Sequence, residues 1–358
     1  SPACPCMFSK SKHGKEMVGL GSFLSSNLFK RSGLVFYILL FSAHAVVIKS
    51  SSKSGEYNYN PALLCLLAES TKLVLSIIFF LVQFSHGFTF QSILQAFLER
   101  DWLMIAPAFL YAVYNNLSFM NLLNYDANIY QVLMNSRILL TGVFSVILLK
   151  RHLTPIKWGS LILLGAGCAL ANYSSKTADT GLAEIGFILL QASLSSSAGV
   201  YNELLLKKKD PGLLDSVHLQ NAVQYIYSIF FNAVFFTVSG GFSREGKTDF
   251  SLHLVLIIFL MAFGGLTASM ILKHFSTITK AFATSVEMFL TGLASYSFLG
   301  TELTTTYFLA LGVVSVAIYL YNKPGPPEPP AADPQKVEME SLLEEGQAAM
   351  SVAKNPED

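Results

Sequence analysis

The feature that most constrains this chain is the spacing of its apolar residues. They do not form amphipathic stripes. They run in ten blocks of about 20 residues, the length of helix that crosses a bilayer core. The blocks lie near residues 33–49, 61–84, 102–122, 127–149, 153–173, 181–206, 215–239, 252–274, 279–299 and 302–322. Short segments rich in Gly, Pro, Asn, Ser and charge separate them. Backbone amides cannot stay unpaired in lipid, so such blocks must be helices. The expected fold is therefore all-α: a polytopic membrane protein of ten transmembrane helices.

Composition agrees. Of 358 residues, 52% are apolar and only 13% are charged, against about 25% charged in a soluble domain. The mean hydropathy is +0.49. The net charge of +1 gives no basic signature for nucleic acid. Cys4 and Cys6 sit in the N-terminal segment and Cys65 and Cys168 inside apolar blocks. That is neither a disulfide framework nor a metal-ligand spacing. No cofactor is expected. No phosphate-binding Gly-rich loop, HExxH or GxSxG is present, so no catalytic residue is assigned.

Lys and Arg placement sets orientation. With the N-terminus in the cytosol, cytosolic segments hold Arg100, Lys150, Arg151, Lys157, Lys207, Lys208, Lys209, Lys273 and Lys323. The opposite side keeps Lys49, Lys53, Lys176, Arg244 and Lys247. Both termini are then cytosolic. No cleavable leader precedes the first block, which is expected to be retained. Lys323-Pro324-Gly325-Pro326-Pro327 ends the last helix. The expected organisation is a basic N-terminal segment at 1–32, five helices in 33–173, five in 174–322, and a disordered Pro/Glu-rich tail at 323–358. Glu338 to Leu343 in that tail fits an acidic dileucine pattern.

Sliding the sequence by 150 positions aligns Leu140-Thr141-Gly142 with Leu290-Thr291-Gly292 and Leu153-Thr154 with Leu303-Thr304. Ser145 falls on Ser295 and Leu149 on Leu299. Blocks four and five thus match nine and ten. A repeat of five spans, an odd number, inverts the second half relative to the first, as in many secondary transporters.

An ionisable residue at mid-bilayer costs about 2.5–3.5 kcal/mol on insertion scales. Glu69, Lys72, Arg137, Lys280 and Glu287 all fall well inside apolar blocks, so they must pair or face a wet cavity. Arg137 and Lys280 occupy corresponding spans. Two cations facing one cavity call for an anion, and phosphate suits both. Glu287 reads as the partner of Arg137 or as a gate. Glu69 and Lys72, spaced i, i+3, either pair on the helix or line the cavity. Tyr111, Tyr114, Asn115 and Asn116 form Tyr-x-x-Tyr-Asn-Asn, whose asparagine amides serve as interhelical bonds or as contacts for a nucleobase edge.

At these residues the chain resembles the nucleotide-sugar transporters, in the branch of the CMP-sialic acid, UDP-galactose and UDP-N-acetylglucosamine transporters. Ala68-Glu69-Ser70-Thr71-Lys72 resembles its span-two Glu-x-x-Lys. Pro107 through Tyr111, Asn115, Asn116 and Leu117 is similar to its span-three motif. Tyr130-Gln131-Val132 with a cation at Arg137 resembles span four. Ala198-Gly199-Val200-Tyr201 with Glu203 fits span six, Asn221 with Tyr225 span seven, and Lys280-Ala281-Phe282 span nine. The resemblance covers about residues 33–322.

It implies ten helices in two inverted five-helix repeats. It also implies antiport of a cytosolic nucleotide sugar, of the UDP-sugar or CMP-sialic acid class, into the Golgi lumen against a nucleoside monophosphate. By position, Asn116 and Tyr130 would contact the base, Arg137 and Lys280 the phosphate, and Gly199 and Tyr225 would line the nucleotide site, with Asn115 a further substrate-binding candidate. Glu69, Lys72, Tyr111, Glu203 and Glu287 are the cavity or gate candidates. The implied partners are the two nucleotides and the bilayer, with a homodimer or a glycosyltransferase complex as further options. Three departures stand out: Arg137 replaces the branch's usual lysine, Tyr114 its glutamine, and Ser216-Val217-His218-Leu219-Gln220-Asn221 its aromatic-x-Arg-Asn. The alternatives are a carrier of another phosphorylated metabolite, a transport-inactive membrane scaffold, and an endosomal or lysosomal rather than Golgi membrane.

Overall fold

The computed structural model describes residues 27–51, 60–83, 102–124, 127–172, 182–208, 215–238, 251–300 and 302–323, with isolated positions 91, 95 and 98. The polar N-terminal stretch before residue 27 and the tail beyond 323, with its dileucine pattern, lie outside them.

All elements among the described residues are helical. They are α1 (Asn27–Ser51), α2 (Pro61–Gln83), α3 (Ile105–Asn124, after a 3₁₀ turn at Trp102–Met104), α4 (Ala127–Met134), α5 (Arg137–Leu149) and α6 (Pro155–Ala171). The second half comprises α7 (Leu182–Lys207), α8 (Val217–Val238), α9 (Leu252–His274), α10 (Thr277–Leu299) and α11 (Thr305–Asn322). They match the ten apolar blocks, with α4 and α5 together forming the fourth.

Two differences from the sequence reading are physical. First, α1 starts at Asn27, so the helix extends through Lys30 and Arg31, polar residues that an apolar-block reading leaves outside. Second, block four is broken. Asn135 and Ser136 form a turn, and Asn135 N–H bonds the Gln131 and Val132 carbonyls at 3.2 Å each. Arg137 then opens a new helix. The block stays apolar on both sides, so hydropathy cannot reveal the break.

The boundaries follow local chemistry. Thr154 caps α6 ahead of Pro155, accepting from Lys157 N–H at 3.4 Å, and Ser276 caps α10 by accepting from Thr279 N–H at 3.0 Å. Gly300, at φ 66°, closes the C-terminus of α10 in the left-handed conformation glycine favours.

Five described helices are long and apolar enough to cross a membrane: Ala62–Gln83, the stretch Tyr130–Leu149, Val217–Val238, Leu252–His274 and Thr305–Asn322. Ser32–Ile48 and Pro155–Ala171 are shorter apolar helices. The three long helices that fall short in hydropathy are α3, α7 and α10. They carry Tyr111, Asn115 and Asn116; Gln191, Asn202 and Glu203; and Lys280 and Glu287 respectively. Polarity is turned inward. Gln191, Gln220 and Glu203 are fully buried, whereas Ile147, Phe230 and Leu309 are exposed, the pattern expected where lipid is the solvent.

Packing partners repeat between the halves. α1 packs on α9 and α10, while α7 packs on α3 and on the α4–α5 pair. α2 and α8 pack on each other, α2 also against α9 and α8 against α3. A shift of five spans maps these pairs onto one another. The sequence repeat has the same meaning at atomic scale. A β-carbon on Gly142 would lie 2.8 Å from Leu161 of α6, and one on its counterpart Gly292 would lie 2.6 Å from Tyr307 of α11. Both glycines therefore admit the following helix at close range. An apolar cluster among the described residues joins α5, α6, α10 and α11 through Ile138, Leu161, Leu164, Phe282, Phe289 and Val314.

Candidate functional site

A cavity of about 830 Å³ lies among these helices. One face of α10 lines it along its length: Thr277, Lys280, Thr284, Glu287, Met288, Thr291 and Ser295 recur at three- and four-residue intervals. The break in block four supplies Gln131, Asn135 and Arg137; α3 adds Tyr111; α7 adds Ser195, Ser196 and Gly199; and Asn172 follows α6.

Arg137 and Lys280, one from each half, both face this space. Neither side chain has a hydrogen-bond or ion-pair partner among the described residues. Arg137 sits in the first turn of α5, whose N-terminal N–H groups add positive potential. The buried Asn135 Nδ2 is also unpaired. Two cations with no ion-pair partner among the described residues, beside an unsatisfied amide donor, are groups that an acceptor-rich anion complements. Glu287 lines the same cavity but is not ion-paired with Arg137. Its Oε1 accepts from Thr291 Oγ1 at 2.9 Å.

The two ends of the cavity differ. At one, the lining residues Glu302 and Thr304 are exposed. At the other, Thr277 and Gly199 are buried and bonded, Thr277 Oγ1 donating to Gly199 O at 3.2 Å. Beneath them lies Glu203, with a fully buried side chain. Its Oε1 accepts from Arg151 Nη2 at 2.5 Å and Lys207 Nζ at 2.7 Å. Its Oε2 accepts from both the N–H and the hydroxyl of Thr277 at 2.7 Å. Lys207 Nζ also donates to Phe275 O. The network ties the α5–α6 loop to α7, the end of α9 and the start of α10, so it closes that end across the two halves. Glu203 thus stands at a closure, not in the cavity lining.

The remaining sequence candidates are placed elsewhere. Tyr130 OH receives Gln191 Nε2 at 2.9 Å and lies 3.2 Å from Ser118 Oγ, so it joins α4 to α7 and α3. Asn116 Nδ2 donates to Ala112 O at 2.8 Å and Asn232 Oδ1 at 3.4 Å, joining α3 to α8. Asn115 is half-buried and outside the cavity lining. Lys72 pairs with Glu69 at 2.7 Å and holds its Nζ 5.6 Å from the Tyr225 ring centre, within cation–π range. These three form a second polar cluster between α2 and α8. Sequence reasoning missed the hydroxyl lining of Thr277, Thr284, Ser285 and Thr291. Most of these side chains also bond their own helix, as Thr284 does with Lys280 O at 3.0 Å, so in sequence they read as neutral helix residues. Arg151 gave only a topology signal.

Comparison with known proteins bears on what this site serves. The nucleotide-sugar transporter family model matches residues 25–322. CMP-sialic acid transporter 2 of Oryza sativa subsp. indica is 33% identical over 318 residues, 86% of this chain and 88% of that protein. CMP-sialic acid transporter 4 of Arabidopsis thaliana is 32% identical, covering 85% and 88%. UDP-galactose transporter senju of Drosophila melanogaster is 31% identical, covering 81% and 85%. A solved crystal structure superposes with a TM-score of 0.64 at 12% identity, covering 83% of this chain and 97% of its own, which shows the same fold. The relatives are transporters rather than enzymes, and this chain belongs to the nucleotide-sugar transporter family.

Proposed function

We propose that the protein exchanges a nucleotide sugar for a nucleoside monophosphate across the Golgi membrane, as an antiporter with one central site and both termini in the cytosol. The two five-helix halves, 33–173 and 174–322, act as inverted repeats that rock about the cavity. The observation that carries this reading is the pair Arg137 and Lys280: one cation from each half, without an ion-pair partner among the described residues, facing a shared space. Bound phosphate neutralises both. Without it, the two charges repel and oppose closure of the halves around them. Ligand thereby favours one conformation over another, the differential binding a switch requires. The exposed Glu302 end is then lumenal and the Glu203 network bars the cytosolic end, in keeping with the excess of Lys and Arg there.

Gly199 and Tyr111 line the closed end, where the base fits beside an aromatic ring. Tyr130, Asn115, Asn116 and Tyr225 support the site from the surrounding helices.

The experiment is counterflow in proteoliposomes preloaded in turn with CMP, UMP and GMP. One pyrimidine monophosphate drives uptake of its nucleotide sugar, and Arg137→Ala and Lys280→Ala each abolish it. Counterflow with none of the three, in well-folded protein, rejects the reading in favour of another phosphorylated metabolite or a scaffold.

A further inference from the structure

Beyond the two cations, the cavity carries a second charge of opposite sign. Glu287 lies seven residues after Lys280 on the same face of α10, two turns or about 10 Å nearer the open end. It has no ion-pair partner among the described residues, and its hydrogen bond comes from neutral Thr291. Glu302 lines the mouth further out. Neutral polar groups line the cavity too, among them Asn172, Thr291, Ser295 and Thr304. No Lys, Arg or His other than Arg137 and Lys280 lines the cavity among the described residues. The cavity is thus cationic at its middle, with hydroxyls, amides and carboxylates towards the opening.

The closed end is narrow. A β-carbon at Gly199 would sit 3.2 Å from Thr277 and 3.8 Å from the Tyr111 hydroxyl. A base at this end meets the Tyr111 ring, which lines the cavity. With the phosphates on Arg137 and Lys280, the sugar then points towards Glu287.

We infer that Glu287 selects at the sugar end: the transported nucleotide sugar carries an uncharged, hydroxyl-bearing sugar, and a sugar whose far end bears a carboxylate, as in a uronic acid, is refused. The inference rests on the proposed nucleotide exchange. The physical reason is symmetric. Sugar hydroxyls donate to a carboxylate and bond the flanking hydroxyls and amide. A second carboxylate meets like charge there, while the two cations that line the cavity are engaged by the phosphates.

UDP-glucose and UDP-glucuronate form the matched probe pair, differing by a carboxylate in place of a hydroxymethyl group. In proteoliposomes preloaded with UMP, wild-type protein takes up UDP-glucose or UDP-galactose at least tenfold faster than UDP-glucuronate. Glu287→Gln narrows that ratio below threefold, and Glu287→Asp, which keeps the charge, preserves it. The inference is overturned if wild-type protein carries UDP-glucuronate within twofold of UDP-glucose, if it prefers CMP-sialic acid to both hexoses, or if Glu287→Gln leaves the ratio unchanged. UMP-for-UMP exchange by the wild-type protein separates the two failures. If that exchange runs without sugar discrimination, only the Glu287 assignment falls; if no pyrimidine monophosphate is exchanged, both readings fall. Should Glu287→Gln not fold, the wild-type ratio, together with thermal stabilisation by UDP-glucose against UDP-glucuronate, decides.

Discussion

Replacing Glu203 by glutamine removes the one negative charge on which Arg151, Lys207 and Thr277 converge. Four donors reach its carboxylate at 2.5–2.7 Å, and its side chain is fully buried. Breaking a buried ion pair costs about 3–5 kcal/mol. The Arg151 and Lys207 side chains each remain 32% exposed, so water recovers part of their solvation, and about 2 kcal/mol is the expected loss. The contacts join elements of both halves, so the loss falls on the closed end rather than on any single helix. At tenfold per 1.4 kcal/mol, the open form at that end rises about thirtyfold. The assay is a single reporter, Ser195→Cys in the cavity, in a background with Cys4, Cys6, Cys65 and Cys168 replaced by serine. In sealed vesicles an impermeant maleimide is added on the side carrying Arg151. Glu203→Gln should speed labelling by that factor. Labelling within twofold of the parent, in protein with an unchanged elution profile, would refute the network as a bar.

Other expectations follow from the same geometry. Lys72→Met strands the buried Glu69 carboxylate and should lower stability by about 3 kcal/mol, whereas the double variant with Glu69→Gln recovers most of it; melting curves in detergent measure the cycle. Gly292→Val and Gly142→Val push a side chain into Tyr307 and Leu161 and should each cost about 1–3 kcal/mol, read as matched falls in melting temperature. Gln191→Leu removes the Tyr130 and Asn121 bonds, the latter 2.6 Å long; it should destabilise the protein by about 1–3 kcal/mol while nucleoside monophosphate still raises its melting temperature.

The sequence was most informative where the bilayer penalises error. Apolar blocks had to be helices, and cations inside them had to have a purpose, so the helices, Arg137 and Lys280 could be found from the chain alone. The repeat was legible because Gly142 and Gly292 both admit a neighbouring helix. Tyr130 shows the limit. The family resemblance suggested a ligand contact there, but its hydroxyl is bonded to Gln191 from a distant span, a pairing that only the tertiary fold creates. The Asn135–Ser136 break was hidden for a related reason: two polar residues do not interrupt an apolar average. Arg151 and Glu203 lie 52 positions apart in the chain, and no local pattern links a loop arginine to a helix glutamate. Thr277 was overlooked because a threonine at a helix start reads as part of a cap.

The central claim is that Arg137 and Lys280 jointly hold phosphate. Its most direct test is the affinity of purified protein for a pyrimidine nucleoside monophosphate against its nucleoside, in wild type, Arg137→Ala and Lys280→Ala. Charge-assisted hydrogen bonds contribute about 1.5–3 kcal/mol each. The wild type should therefore prefer the monophosphate by at least a hundredfold, and each variant should lose at least tenfold of that preference with nucleoside binding unchanged. Equal binding of nucleoside and monophosphate by the wild type, or full phosphate preference in either variant, would contradict the account.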